Sequence, residues 1–163
     1  MKKLLLLSLI MVLPVAAEVV TFDKKFTITF PDGWKKSEKP QKGTLVFRES
    51  KDGDASFAVA KLPVPKDSKV DLKATLKAMT DGMKKTMKFS KEPLTTEGKV
   101  DGKKALFSRV GVKSGESKIG FFIIAIDAGD RVIMLQATLP TGASEKSRGD
   151  CMKIIQSFKE LRE

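Results

Sequence analysis

Histidine and tyrosine are absent from this 163-residue chain. The first absence removes the side chain that most often serves as general base and metal ligand near neutral pH. The second removes phenol nucleophiles. Cysteine occurs once, at Cys151, so no intramolecular disulfide can form and stability must come from an apolar core. Cys151 falls on the apolar side of a predicted helix with no histidine to lower its pKa, which reads as core and not as a nucleophile. There is no glycine-rich phosphate loop, and Ser114-Gly115-Glu116-Ser117 does not form a nucleophile elbow. Asp52 and Asp54, or Asp127 and Asp130, lack the regularly spaced oxygen ligands that calcium needs and read as turn residues. No catalytic residue, metal ligand or cofactor is therefore expected, and the chain does not read as an enzyme.

Long apolar runs are almost as scarce. One extends from Leu4 to Leu13, broken only by Ser8, after the basic start Met1-Lys2-Lys3 and before the small residues Val15-Ala16-Ala17. That is the three-part pattern of a secretory signal peptide. The run is too short to cross a bilayer core of roughly 30 Å as a helix, and it has no polar face that would make it an amphipathic anchor. Residues 1–17 are expected to be a signal peptide cleaved after Ala17, leaving residues 18–163 as one exported domain, soluble and periplasmic or secreted. No cysteine follows the run to carry a lipid anchor. The net charge is +11, reduced by two when Lys2 and Lys3 are lost. Outside the cytoplasm such basicity argues against nucleic acid and toward an envelope protein with an acidic face or an anionic surface, the partner itself being unspecified. The plainer alternative is that dispersed lysines keep a small domain soluble.

What is present reads as strands with two helices. Phe26–Phe30 alternates apolar and polar as a half-buried strand does. Thr44–Glu49 and Ala55–Leu62 flank a turn at Asp52-Gly53, and Pro63 and Pro65 end the pairing. From Asp71 to Lys88 the period lengthens: Leu72, Leu76, Met79, Met83 and Met87 line one side of a helix, capped by Ser68 or Asp71, with Gly82 weakening its middle. Lys73, Lys77, Lys84 and Lys88 form its solvent side. Leu94–Val100 and Lys104–Val112 flank Asp101-Gly102, and Lys118–Asp127 and Arg131–Leu139 flank Ala128-Gly129-Asp130. The last two strands contain continuous apolar runs, Phe121–Ile126 and Val132–Leu135, which predict central strands covered on both faces. A final helix from about Ser144 places Cys151, Ile154, Ile155, Phe158 and Leu161 on one face. The expected architecture is a layered α+β sandwich, mostly antiparallel because short hairpins join its strands.

Phe30-Pro31-Asp32-Gly33-Trp34 closes a strand, and Ile154-Ile155-Gln156-Ser157-Phe158 closes the chain's last helix. Together with the order of elements, these motifs resemble the PsbP-like fold over roughly Phe26–Lys159. The nearest likeness is to small exported bacterial members of unknown role. The resemblance implies a mostly antiparallel, six- to seven-stranded sheet sandwiched by two helices, used for binding or assembly and usually not for chemistry.

The candidate site begins where that turn delivers the only tryptophan into a run of lysines. Trp34 offers either a stacking platform or one end of the core. Lys35, Lys36, Lys39 and Lys42 form a candidate anion- or partner-binding rim. The expected function is a non-catalytic exported binding or assembly module. Two alternatives differ in kind. A small hydrolase would use carboxylates such as Asp127 and Asp130. A lipid carrier would need a large apolar cavity between sheet and helix.

Overall fold

A computed structural model describes residues 17–38, 42–65 and 68–161. Residues 1–16, which hold nearly all of the expected signal peptide, lie outside these, as does Lys39. In chain order the elements are β1 (Glu18–Phe22), β2 (Phe26–Phe30), β3 (Lys35–Lys36), β4 (Thr44–Glu49), β5 (Ser56–Pro63), α1 (Leu72–Lys84), β6 (Lys88–Phe89), β7 (Leu94–Val100), β8 (Lys103–Ser114), β9 (Ser117–Asp127), β10 (Arg131–Pro140), α2 (Glu145–Gln156) and β11 (Lys159–Glu160). The predicted α+β class holds, and the described strand pairs are all antiparallel.

The strands form an eight-stranded sheet, ordered β3-β4-β5-β10-β9-β8 with β6 and β7 both along the outer side of β8. A separate three-stranded sheet is ordered β1-β2-β11. The predicted hairpin turns occur where glycine permits left-handed backbone: Gly53 has φ 68° and Gly129 has φ 84°. At the β7–β8 turn both Asp101 (φ 49°) and Gly102 (φ 76°) are left-handed, the pattern of the tight turn that matches strand twist.

The two continuous apolar runs lie at the centre of the large sheet. β9 sits between β8 and β10, and β10 between β9 and β5. Their side chains supply two separate cores. On one face Phe57, Val59, Ile124, Ile126, Ile133 and Leu135 pack against β1–β2 and α2. On the other, Leu106, Val110, Ile123, Ala125, Val132 and Met134 pack under α1, whose Leu76 is buried and whose Met79 and Met83 are partly so.

Both helices begin at side-chain caps. The Asp71 carboxylate accepts from the Ala74 N–H at 2.9 Å, and the Ser144 hydroxyl accepts from the Ser147 N–H at 3.1 Å. Helix α1 stops at Lys84, one turn short of the predicted end. The reason is tertiary: Lys88 and Phe89 pair with Lys113 and Val112 as β6, which takes the chain out of the helix. Met87 is consequently exposed and leaves the methionine stripe.

The small sheet was not foreseen as a separate unit. Its β1–β2 turn uses Asp23 (φ 49°) and Lys24 (φ 58°), non-glycine residues in left-handed backbone. Asp23 is held there by Lys61 at 2.6 Å and by Arg131, which tie the turn to β5 and to the start of β10. Phe22, Phe26 and Phe158 cluster beneath it, with ring centroids 5.5 to 6.2 Å apart.

Candidate functional site

The turn after β2 resolves the two readings of Trp34. Gly33 takes φ 87°, and Trp34 turns inward to 7% exposure. Its ring lies 6.0 Å from that of Phe30, and its Nε1–H reaches Asp150 Oδ2 at 3.4 Å. Asp150 is itself buried on α2 and also accepts from Lys146 Nζ at 2.6 Å. A buried indole with a carboxylate partner is a joint between turn and helix, and its face is not open to a ligand.

The lysines turn outward. Lys35 and Lys36 are β3, an edge strand whose residues stand opposite Glu49 and Arg48 of β4. Both are exposed, as is Lys42 at the entry to β4. None of these three forms an ion pair among the described residues. The structure thus separates the sequence-predicted group into an interior tryptophan and an exterior basic edge. The second basic surface, on α1, is largely neutralised: Lys73 pairs with Glu97 at 3.0 Å, Lys77 with Asp81, and Lys84 with Glu92 at 2.9 Å.

The carboxylates weighed for catalysis, Asp127 and Asp130, and Asp54, weighed for calcium, are engaged in holding turns and a helix start. Asp127 accepts from the Gly129 N–H at 3.0 Å. Asp130 pairs with Arg131, which holds its carboxyl down at about 2. Asp54 accepts from the Ser144 N–H at 2.8 Å, the Ser147 hydroxyl at 2.6 Å and the Ser50 hydroxyl at 2.8 Å. These bonds hold it well below the usual carboxylate range. Shifts in that direction make poor proton donors and poor bases near neutrality. Cys151 is 2% exposed, and burial pushes its thiol up to about 12, the opposite of an activated nucleophile. Among the described residues no group of three or more acidic or cysteine side chains is placed to hold a metal ion.

The far end of the large sheet carries a second feature that the reading of the sequence did not single out. α2 packs on β2 and β10 and stops short of β7 and β8, leaving a trough of about 670 Å³ between its Met152 and the strands. Two oppositely placed glycines, Gly111 on β8 and Gly120 on β9, lie at its base. The signal was present as two glycines in otherwise apolar strands, but their register is a property of the β8–β9 hairpin.

No curated protein matches the sequence. Solved structures match in fold. Cyanobacterial PsbP (CyanoP) from Synechocystis sp. PCC 6803 aligns at TM-score 0.65 and 12% identity, over 96% of this chain and 99% of its own. The Ran-binding protein Mog1p of Saccharomyces cerevisiae aligns at TM-score 0.59 and 13% identity, over 88% and 95%. LpqN of Mycobacterium tuberculosis, involved in cell envelope biogenesis, aligns at TM-score 0.55 and 13% identity, over 90% and 91%. This chain also spans 46% of a longer Bacteroides thetaiotaomicron VPI-5482 protein, at TM-score 0.58 and 14% identity over 85% of its own length. At these identities the likeness is one of fold alone. The sequence itself matches the PsbP family over residues 17–160, nearly its whole length, and the chain belongs to the PsbP family.

Proposed function

We propose that this protein is a non-catalytic, exported binding module that docks through the β3 edge onto an acidic face of another envelope protein. The observation that carries the reading is the outward placement of Lys35, Lys36 and Lys42, none of which forms an ion pair among the described residues; Lys39 belongs to the same lysine group in the sequence. Acidic and basic faces steer association and fix orientation. Support of a coarser kind comes from two structural relatives, one a Ran-binding protein and the other involved in cell envelope biogenesis. The structural engagement of Asp54, Asp127 and Asp130 and the burial of Cys151 speak against a hydrolytic alternative. Export rests on the basic, apolar and small-residue segments of the first 17 positions. No helix among the described residues is long and apolar enough to cross a membrane.

The test is crosslinked affinity capture of the tagged protein from its own envelope, beside a variant carrying Lys→Glu at 35, 36, 39 and 42. One stoichiometric partner is expected, lost in the variant and weakened by salt. Retention of the partner by the variant would refute the docking edge. Binding of the wild type to anionic vesicles, with the same lysine dependence and no protein partner, would replace the protein face with a lipid surface.

A further inference from the structure

The trough beside α2 combines three properties that converge on one chemical class. The first is its floor. Gly111 and Gly120 stand opposite each other across β8 and β9, so neither projects a side chain beyond Cα. A Cβ on Gly120 would meet only Leu139 O at 3.4 Å, whereas the space over Gly111 is taken by Ser90, whose Oγ would lie 2.6 Å from such a Cβ, so the open floor is at Gly120. The hollow continues over Phe122 into a neighbouring one of about 420 Å³, which shares Leu94, Arg109, Phe122 and Met152. The 670 Å³ hollow alone has the size of a small-molecule site, and its walls include two conspicuously exposed apolar side chains, Leu94 at 62% and Met152 at 46%.

The second property is charge. Four arginines fall among the described residues. Arg48 pairs with Glu18, and Arg131 pairs with Asp23 and Asp130. Arg109 and Arg148 meet no carboxylate among the described residues, and both line this trough. Arg148 is held in place by carbonyls: its Nε donates to Ala143 O at 3.2 Å and its Nη2 to Thr141 O at 3.0 Å. The Arg109 guanidinium lies 5.6 Å from the centre of the Phe122 ring. Two guanidinia that meet no carboxylate among the described residues, Arg148 anchored by carbonyls and Arg109 against the Phe122 ring, are complementary beside an apolar floor to an anion carrying an apolar tail.

The third property is what the floor cannot offer. β8 is paired on one side with β9 and on the other with β6 and β7, and β9 is paired with β8 and β10. Their backbone groups are committed to the sheet. A peptide lying here would bring amide groups needing partners the floor does not provide, at a cost for each left unpaired. An acyl chain brings none.

We propose that this trough binds a fatty acid, a single acyl chain lying over Gly120 and Phe122 with its carboxylate met by Arg109 and Arg148. The site is on the edge of the large sheet opposite β3, so it is independent of the lysine docking edge.

Isothermal calorimetry with laurate, dodecanol and acetate tests this on the purified protein. Laurate is expected to bind saturably at one per chain, dodecanol about tenfold or more weakly, and acetate not measurably. Arg109→Gln with Arg148→Gln should weaken laurate by a similar factor, leave dodecanol unchanged and preserve the cooperative thermal melt. Gly120→Leu, which fills the floor, should abolish binding of both. If the double variant does not fold, Arg109→Gln alone and the salt dependence of laurate binding carry the same distinction. Absence of saturable laurate binding to the wild type would overturn the proposal. So would equal affinities for laurate and dodecanol, or tighter binding of a capped apolar hexapeptide. Lys→Glu changes at 35, 36 and 42 should leave laurate affinity unaltered, which separates this site from the docking edge.

Discussion

At the β3–β5 end of the large sheet, the inner face is closed. Phe30, Trp34 and Phe57 meet under the small sheet and α2, with Phe30 and Phe57 fully buried and their rings 5.9 Å apart in an edge-to-face contact. At the β7–β8 end the same face is open: Phe107 and Phe122 are only partly buried, and Leu94 is mostly in solvent. Both ends place aromatic side chains on this face, so strand composition does not explain the contrast. Its cause is the reach of the cover: the small sheet and α2 enclose Val100 and Ala105 near the Asp101 turn, and leave Leu94, Phe107 and Phe122 farther along these strands only partly covered. One end of this face is therefore densely packed, and the other carries the trough.

The contrast can be broken most directly through Cys151, which sits on α2 between the dense core and the trough. With its thiol raised from 9.0 to about 12 by burial, alkylation of the native protein by iodoacetamide at pH 8 should run about a thousandfold slower than for an unperturbed thiol, from thiolate population alone. Mass spectrometry before and after denaturation would read this. Rapid native labelling would mean that α2 does not seal the core.

Phe30→Ala should come next in size. Removing a fully buried ring that contacts Trp34 and Phe57 should cost about 3–5 kcal/mol in urea unfolding. A loss below about 1 kcal/mol would show that the closed end is not the packing centre.

Asp54→Ala removes the anchor of the α2 N-terminus and strands the Ser144 N–H. The expected loss is about 1–3 kcal/mol near neutral pH. Because the folded carboxyl titrates below its ordinary value of 3.8, its contribution is complete above that value and drains away as pH falls toward the lower folded one. Wild type and variant should therefore converge in stability on acidification below pH about 3.8. Parallel curves would assign Asp54 no such role. The smallest effect belongs to the open end: Leu94→Thr should change stability by no more than about 0.5 kcal/mol, and a larger loss would mean that the trough wall is part of the core.

Much of the architecture was legible from local chemistry. Asp52-Gly53, Asp101-Gly102 and Gly129 marked hairpins because their backbone takes left-handed angles that glycine adopts without strain. Phe121–Ile126 and Val132–Leu135 marked central strands because only side chains buried on both faces can be apolar without alternation. The β1–β2 hairpin escaped notice because Asp23 and Lys24 occupy its left-handed positions, stabilised by the distant Lys61 and Arg131. Of the candidate site, the lysines were legible as exposed charge, and Trp34 as either platform or core. Its burial became definite only with Asp150, which lies 116 positions away along the chain.

The sequence alone determined the two helices, the central strands and their antiparallel hairpins, the want of histidine chemistry and the strongly basic charge, since each follows from residue type and local spacing. Tertiary structure decided which carboxylates hold turns and caps, which part of the sheet stayed open, and which arginines meet no carboxylate among the described residues. Those outcomes depend on register and on how far α2 reaches across the strands, and neither quantity is written in any local stretch of the chain.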